Sequence, residues 1–151
     1  MKRLLIIDAL NMFIRNYIVN PMISTNGNPI GGAVGFVNSV KKLMREAKPD
    51  QIIICWDGSG GSQKRRQTEK ENMIWQQQIL MEMLNEMPIM QLVLDRVEAD
   101  DIIAMIAQSP KYKGWQKVIV SSDKDFLQLL DGETVLYRPI QKKAWNKNTV
   151  I

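Results

Sequence analysis

The chain contains no histidine. Ser-His-Asp and Cys-His triads, imidazole-ligated zinc and imidazole general bases are therefore excluded. Any hydrolytic chemistry must rest on carboxylates, lysines or metals held by oxygen. Cysteine is nearly absent too: Cys55 stands alone among 151 residues, which excludes an intramolecular disulfide and a thiolate metal cluster and fits a reducing compartment. Apolar runs are short. None approaches the roughly 20 residues needed to span a bilayer, and Met1-Lys2-Arg3 before Leu4-Leu5-Ile6-Ile7 reaches Asp8 too soon for a signal peptide. A soluble, cytoplasmic protein is expected. Internal repeats and low-complexity tracts are likewise lacking.

The 45% of apolar residues suffice for one core in a chain of single-domain length. Leu4–Ile7 is a fully apolar run that stops at an acid, as a strand buried on both faces of a parallel sheet would. Gln51–Trp56 before Asp57 and Lys117–Val120 before Ser121-Ser122-Asp123 repeat that pattern, and Met90–Leu94 is a weaker copy. Helical stripes lie between them at Gly35–Glu46 and Asn72–Met87, with shorter ones at Ile102–Ala107 and Phe126–Leu130. Strands alternating with helices predict an α/β sandwich with a mostly parallel central sheet. Met73, Met83 and Met87, at helical spacing, are expected to fill the core, as is Trp75. Gly58-Ser59-Gly60-Gly61-Ser62 reads as a flexible loop, and the segment from Arg138 as a basic tail.

In a parallel sheet, ligands bind just beyond the carboxyl ends of the strands. Seven acids lie there: Asp8, Asp57, Glu98, Asp100, Asp101, Asp123 and Asp125. Each has a plainer role available, since Asp8 can cap the helix after it, Glu98, Asp100 and Asp101 open a helix, and Ser121-Ser122-Asp123 is a capping signal. Their conjunction points further. Two unit charges about 4 Å apart repel by roughly 4 kcal/mol at an effective dielectric of 20, so several acids in one pocket raise one another's pKa values unless cations neutralise them. Carboxylates without imidazole or thiolate are hard oxygen donors that suit Mg²⁺ or Mn²⁺. Two such ions form the usual apparatus of phosphodiester hydrolysis and make a histidine base unnecessary.

Asp8-Ala9-Leu10-Asn11 with Arg15, then Gly31-Gly32-Ala33-Val34-Gly35-Phe36, Trp56-Asp57-Gly58, Val97-Glu98-Ala99-Asp100-Asp101 and Ser121-Ser122-Asp123-Lys124-Asp125-Phe126-Leu127-Gln128-Leu129 resemble, in order, the nuclease core of the 5′-nuclease family. That family includes flap endonucleases, phage 5′-exonucleases of the ribonuclease H type and the 5′-exonuclease domain of bacterial DNA polymerase I. The resemblance runs from Leu4 to about Arg138. It implies a PIN-like, Rossmann-like three-layer fold over 1–151. The seven acids match the metal-binding positions of that family and would hold a pair of Mg²⁺ or Mn²⁺ ions. The implied activity is 5′-3′ exonuclease or flap endonuclease cleavage of DNA carrying a 5′ flap or an RNA primer, during replication and beside other replication proteins. A monomer in the cytoplasm, or in the host cytoplasm for a phage protein, goes with it. Nucleic-acid contacts are implied for Arg15, Gly31, Gly32, Lys64, Arg65, Arg66 and Lys124, the two glycines offering backbone N–H groups to a phosphate.

Members carry a helical arch after the second strand, where Arg66 here leads directly into Gln67-Thr68-Glu69, so an arch shortened or missing around 66–67 is expected. They also continue into a helix-hairpin DNA-binding module that adds acids to the second metal site, and that module is expected to be absent from this chain. The competing expectations are a PIN-type ribonuclease, a Toprim-type site, which leaves Asp8 and Asp57 unexplained, and a weakly catalytic structure-specific binding module. Setting the seven acids aside leaves nine acids against twenty bases, so the modest net charge of +4 averages an acidic site and surroundings of +11. That distribution attracts phosphates.

Overall fold

A computed structural model of the chain describes residues 1–19, 27, 30–58, 70–138 and 143–145. The apolar runs become strands: β1 is Arg3–Asp8, β2 Gln51–Trp56, β3 Met90–Val93 and β4 Gln116–Val120. Two more follow, β5 at Thr134–Arg138 and β6 at Lys143–Trp145. The sheet order is β3-β2-β1-β4-β5-β6, parallel throughout except for β6, which pairs antiparallel with β5. The segment from Arg138 is thus no simple tail. It turns back as an edge strand, and three residues are too few to show a period of two in the sequence.

Alternation along the strands divides the core. Leu5, Ile7, Ile52, Ile54, Trp56 and Val120 face one layer, and Leu4, Ile6, Ile53, Cys55, Ile119 and Leu136 face the other. Helices α1 (Ala9–Val19), α2 (Gly31–Ala47) and α3 (Lys70–Asn85) supply the first layer, while α4 (Ala99–Ala107) and the short 3₁₀ helix Lys124–Leu129 supply the second. Covering both faces is why the central strands are apolar without a break. Met73, Met83 and Met87 pack against the first core as expected, and Trp75 lines a small apolar cleft with Ile30, Val34 and Ile79.

Helix boundaries show where local signals run out. α2 begins four residues before the apolar stripe, although Ile30 at its N-cap offers no side-chain bond. The cap comes from α3 instead: the carbonyl oxygen of Gln76, a side chain only 1% exposed, accepts the Ala33 N–H at 3.0 Å, and its amide donates to Asn72 Oδ1 at 2.8 Å. Such a cap cannot be read from neighbouring residues. α3 ends at Asn85, ahead of Pro88, which disfavours helical geometry at Met87. Among the described residues no helix is long and apolar enough to cross a membrane.

Phe36 on α2 is fully buried and stacks on Trp56 at the end of β2, with ring centroids 6.0 Å apart. Truncating a buried ring loses its transfer energy and leaves a cavity. Phe36→Ala is expected to destabilise the chain by about 3–5 kcal/mol, measured by urea denaturation at constant m-value.

Candidate metal centre

Because β1 to β5 run parallel, their carboxyl ends share one edge. β1 lies at the middle of the sheet, with β2 and β3 on one side and β4 and β5 on the other. The chain thus reverses its direction of travel across the sheet beside Asp8, where ligands of open α/β folds gather.

Asp8 closes β1 and is 7% exposed. Its Oδ2 accepts the Ser121 hydroxyl at 3.1 Å, and its Oδ1 accepts the Asn11 N–H at 3.5 Å, a long capping bond for α1. Burial pushes its carboxyl up from an ordinary 3.8 to about 7; the Ser121 and Asn11 bonds pull the other way, and the charges of Asp100 and Asp57 push it further up. Asp100, in the first turn of α4, is raised to about 6, first by burial and then by Asp123, Asp57, Glu98 and Asp101. Asp8 thus feels the charges of Asp57 and Asp100, and Asp100 those of Asp57, Glu98, Asp101 and Asp123. Asp125, like Glu98 and Asp101, is exposed; its N–H donates to Asp123 Oδ1 at 2.8 Å.

The plainer roles are present alongside. Asp123 caps its 3₁₀ helix through that bond. Asp57, on the end of β2, caps α4 from a distance, its Oδ1 accepting the Ala99 N–H at 2.7 Å. Glu98 occupies the N-cap position of α4 with no side-chain bond, and its backbone carbonyl accepts the Asp101 and Ile102 N–H groups.

Gly58 sets the junction between Asp57 and α4. Its N–H donates to the Val97 carbonyl at 2.9 Å, and a Cβ there would run into the Leu94 carbonyl. Only glycine permits so close a backbone approach. The turn that it meets is closed by a 3.1 Å bond from Val97 N to Leu94 O, with Arg96 at φ 62°. The flexible loop expected from Gly58 onward is therefore pinned at its first residue; Ser59 to Ser62 lie outside the described residues.

The glycines expected to meet phosphate are placed differently. Gly31 and Gly32 are buried, and a Cβ on Gly32 would press on the Phe13 ring at 2.8 Å and on Gln76. Gln76 also takes up the Ala33 N–H, so Gly32 and Ala33 at this helix start are packed against Phe13 and Gln76. Arg15 is half-buried in a cleft of about 190 Å³ between α1, α2 and β5, whose lining includes Ser39, Lys42, Glu46 and Tyr137. Lys124 is exposed between Asp123 and Asp125. Lys64, Arg65 and Arg66, and the position of the expected arch at 66–67, lie outside the described residues. Cys55, buried beneath the site, has its thiol pushed up to about 12 by burial and by Asp8, so it offers neither a nucleophile nor a thiolate ligand.

Three polar side chains that the sequence shows within its motifs, but without a site role, bond the acids or the loop that carries them. Ser121 bonds both Asp8 and the Asp123 N–H, the latter at 3.0 Å. Asn11 and Ser122 bond each other twice, from Asn11 Nδ2 to Ser122 Oγ at 2.7 Å and from Ser122 N to Asn11 Oδ1 at 3.1 Å. The helical spacing of Asn11, three residues after Asp8, was the available signal.

Among the described residues, no three histidine, cysteine or acidic side chains converge to ligand one ion directly. The donor set still suits a hard divalent cation. It is all carboxylate oxygen, and its raised proton affinities show negative charge in need of compensation. Mg²⁺ in particular keeps several waters and takes one or two carboxylates directly, which does not require a three-carboxylate cage.

A family model described as the 5′-3′ exonuclease, N-terminal resolvase-like domain matches residues 3–151. A 5′-3′ exonuclease of Aquifex aeolicus is 28% identical over 161 residues, covering 100% of this chain and 56% of that protein. DNA polymerase I of Bacillus subtilis is 28% identical over 146 residues, covering 89% and 16%. Among solved structures, the bacteriophage T5 D15 flap endonuclease in a pseudo-enzyme-product complex with DNA and metal ions superposes with a TM-score of 0.71 at 17% identity, over 96% of this chain and 58% of that one. The T5 5′-exonuclease with bound zinc gives 0.69 at 19% identity, over 96% and 58%. These superpositions support the expected PIN-like fold. The chain spans about half the length of the curated exonucleases it matches.

Two outcomes follow from the geometry. An acid whose folded pKa is raised makes the fold hold more protons than the unfolded chain, so stability falls as pH rises between the two values. In chelator, the chain should therefore lose stability from about pH 4 to pH 7, with Asp8 contributing on the order of 4 kcal/mol; Asp8→Asn should flatten most of that slope in denaturant titrations across pH. Gly58→Ala should cost about 1–3 kcal/mol by forcing the β2 end away from Leu94, read as a lowered melting temperature.

Proposed function

Since this chain belongs to the family of the 5′-3′ exonuclease N-terminal resolvase-like domain, we propose that it is the catalytic core of a divalent-metal-dependent nuclease hydrolysing phosphodiester bonds near 5′ ends. The supporting observation is the shared field of Asp8, Asp57, Glu98, Asp100, Asp101 and Asp123 at one sheet edge. Asp125 at the rim completes the acidic set. When bound, Mg²⁺ or Mn²⁺ supplies Lewis acidity toward phosphate and lowers the pKa of water.

The chain's own residues then have defined tasks. Without a cation Asp8 is partly protonated near pH 7 and Asp100 near pH 6, and both give up protons as a cation binds, so affinity for metal rises with pH over that range. Asp57 and Asp123 each commit one oxygen to a backbone N–H. Those bonds fix their orientation, and a carboxylate retains further lone pairs for a ligand. Arg15 in its cleft and the exposed Lys124 provide cationic contacts for backbone phosphates, with Lys64, Arg65 and Arg66 adding to them. The guanidinium of Arg15 keeps its charge despite partial burial.

The substrates that fit are DNA with a 5′ flap and RNA-primed DNA, which places the protein at replication intermediates. The full protein containing this chain should cut a 5′-flap oligonucleotide with Mg²⁺ or Mn²⁺ and stop in excess chelator. Asp123→Ala should lower the rate by about a hundredfold or more, the equivalent of several kcal/mol of transition-state stabilisation. Undiminished cleavage in chelator, assayed on a labelled flap substrate, would overturn the metal-dependent reading.

A further inference from the structure

The acids of this site come from two halves of the sheet that meet at only one line. Asp8 belongs to β1 and Asp57 follows β2, while Asp123 follows β4, and β1 and β4 are neighbours in space without being neighbours in the chain. The β1–β4 ladder ends at the pair Ile7 and Val120. Past that pair, the Ser121 N–H turns away to the Tyr137 carbonyl on β5 at 3.2 Å. Ser121 thus stays bonded to β5, while the segment leading to Asp123 leaves its ladder with β1 past Val120. Left to electrostatics alone it would move away, because the charges of Asp8, Asp100 and Asp123 are alike.

Two side-chain connections tie it back. Ser121 Oγ bonds Asp8 directly. The other connection is the reciprocal pair between Asn11 and Ser122, which spans 111 residues of sequence. A carboxamide suits this role well. It offers a donor and an acceptor in one plane, meets a hydroxyl and a backbone N–H together, and adds no charge to an overcharged site. Asn11 also sits in the first turn of α1, whose start is fixed to Asp8 by sequence and by the Asn11 N–H bond. A rigid helix start therefore holds the loop at a set distance from Asp8.

From this geometry we infer that Asn11 is a positioning residue of the nuclease reaction: its double bond pair with Ser122 holds the Asp123 loop against α1, so that carboxylates from the two halves of the sheet face one divalent cation. It touches neither metal nor substrate. The inference rests on the metal-dependent reading above. It adds a group whose effect on metal affinity exceeds what its contribution to folding explains.

The test measures Mn²⁺ binding by calorimetry, well below the melting temperature, for the unaltered protein, Asn11→Ala, Ser122→Ala and Lys117→Met. Lys117 is the control. It is buried at the opposite edge of the sheet, where its Nζ pairs with Glu133 at 3.1 Å, and its loss weakens the fold without touching the site. Asn11→Ala should weaken Mn²⁺ binding about tenfold, in the range of lost outer-sphere contacts. Lys117→Met should leave it unchanged at equal or greater loss of thermal stability. The Mn²⁺ concentration for half-maximal cleavage should rise in parallel for Asn11→Ala, with the KM for DNA unaltered. Mn²⁺ affinity unchanged in Asn11→Ala, or weakened equally in Lys117→Met, would overturn the inference. Should Asn11→Ala fail to fold, Ser122→Ala decides: it keeps one of the two bonds and should weaken binding several-fold, and unchanged affinity would count as refutation. No Mn²⁺ binding by the unaltered protein would instead bring down the metal reading, and this inference with it.

Discussion

A carboxylate at the end of a strand buried on both faces is under two opposed demands. Asp8 stays where β1 leaves it, with water largely excluded, yet its ionised form needs solvation that the surrounding core denies. Ser121 and the start of α1 relieve part of that cost, and the other acids at the same edge add to it. Everything at this edge answers that imbalance. The fold tolerates a locally unfavourable arrangement that a cation would turn into a favourable one, as functional sites commonly do.

The supports around the site share a design. Hydrogen bonds running between elements far apart in sequence hold the acids in place, so each support also closes the fold. Asp57 caps a helix that follows a different strand, Gln76 caps α2 from α3, and the backbone of Gly58 rests directly on the turn before α4. Carboxylates held this way lose little conformational freedom on meeting an ion, which favours binding. The same bonds explain why α2 and α4 begin without a local side-chain cap from Ile30 or Glu98.

What the sequence discloses and what it hides follow from the same distinction. The central strands are legible because burial on both faces removes every polar residue from Leu4 to Ile7 and from Ile52 to Trp56. The acids are legible because residue type alone names their chemistry, and parallel pairing brings them to one edge. Asp125 is joined to Asp123 by a bond from its N–H, a local link that residue type alone does not encode. Gly31 and Gly32 look like an open phosphate turn in isolation, and the Phe13 ring across from Gly32 adds a packing reason for glycine there that neighbouring residues do not encode. Asn11 and Ser122 carry no mark of each other, since the bonds that join them exist only after the sheet has formed. β6 is hidden for a simpler reason: Lys143–Trp145 is too short and too mixed to announce a strand.

The strand order has a consequence for the time at which this centre comes into being. β1, β2 and β3 can pair as successive right-handed crossovers while the chain is being made. β4 then has to dock along the open side of β1, and parallel pairing over such a separation is slow because its loop-closure cost precedes its reward. Asp8, Asp57 and the α4 acids therefore await a partner delivered more than a hundred residues after Asp8. On a ribosome, the acidic edge stays half-built until the segment around Ser122 has emerged. In a nascent chain of this kind, the topology itself delays assembly of the acidic edge until the segment that carries Asp123 is available.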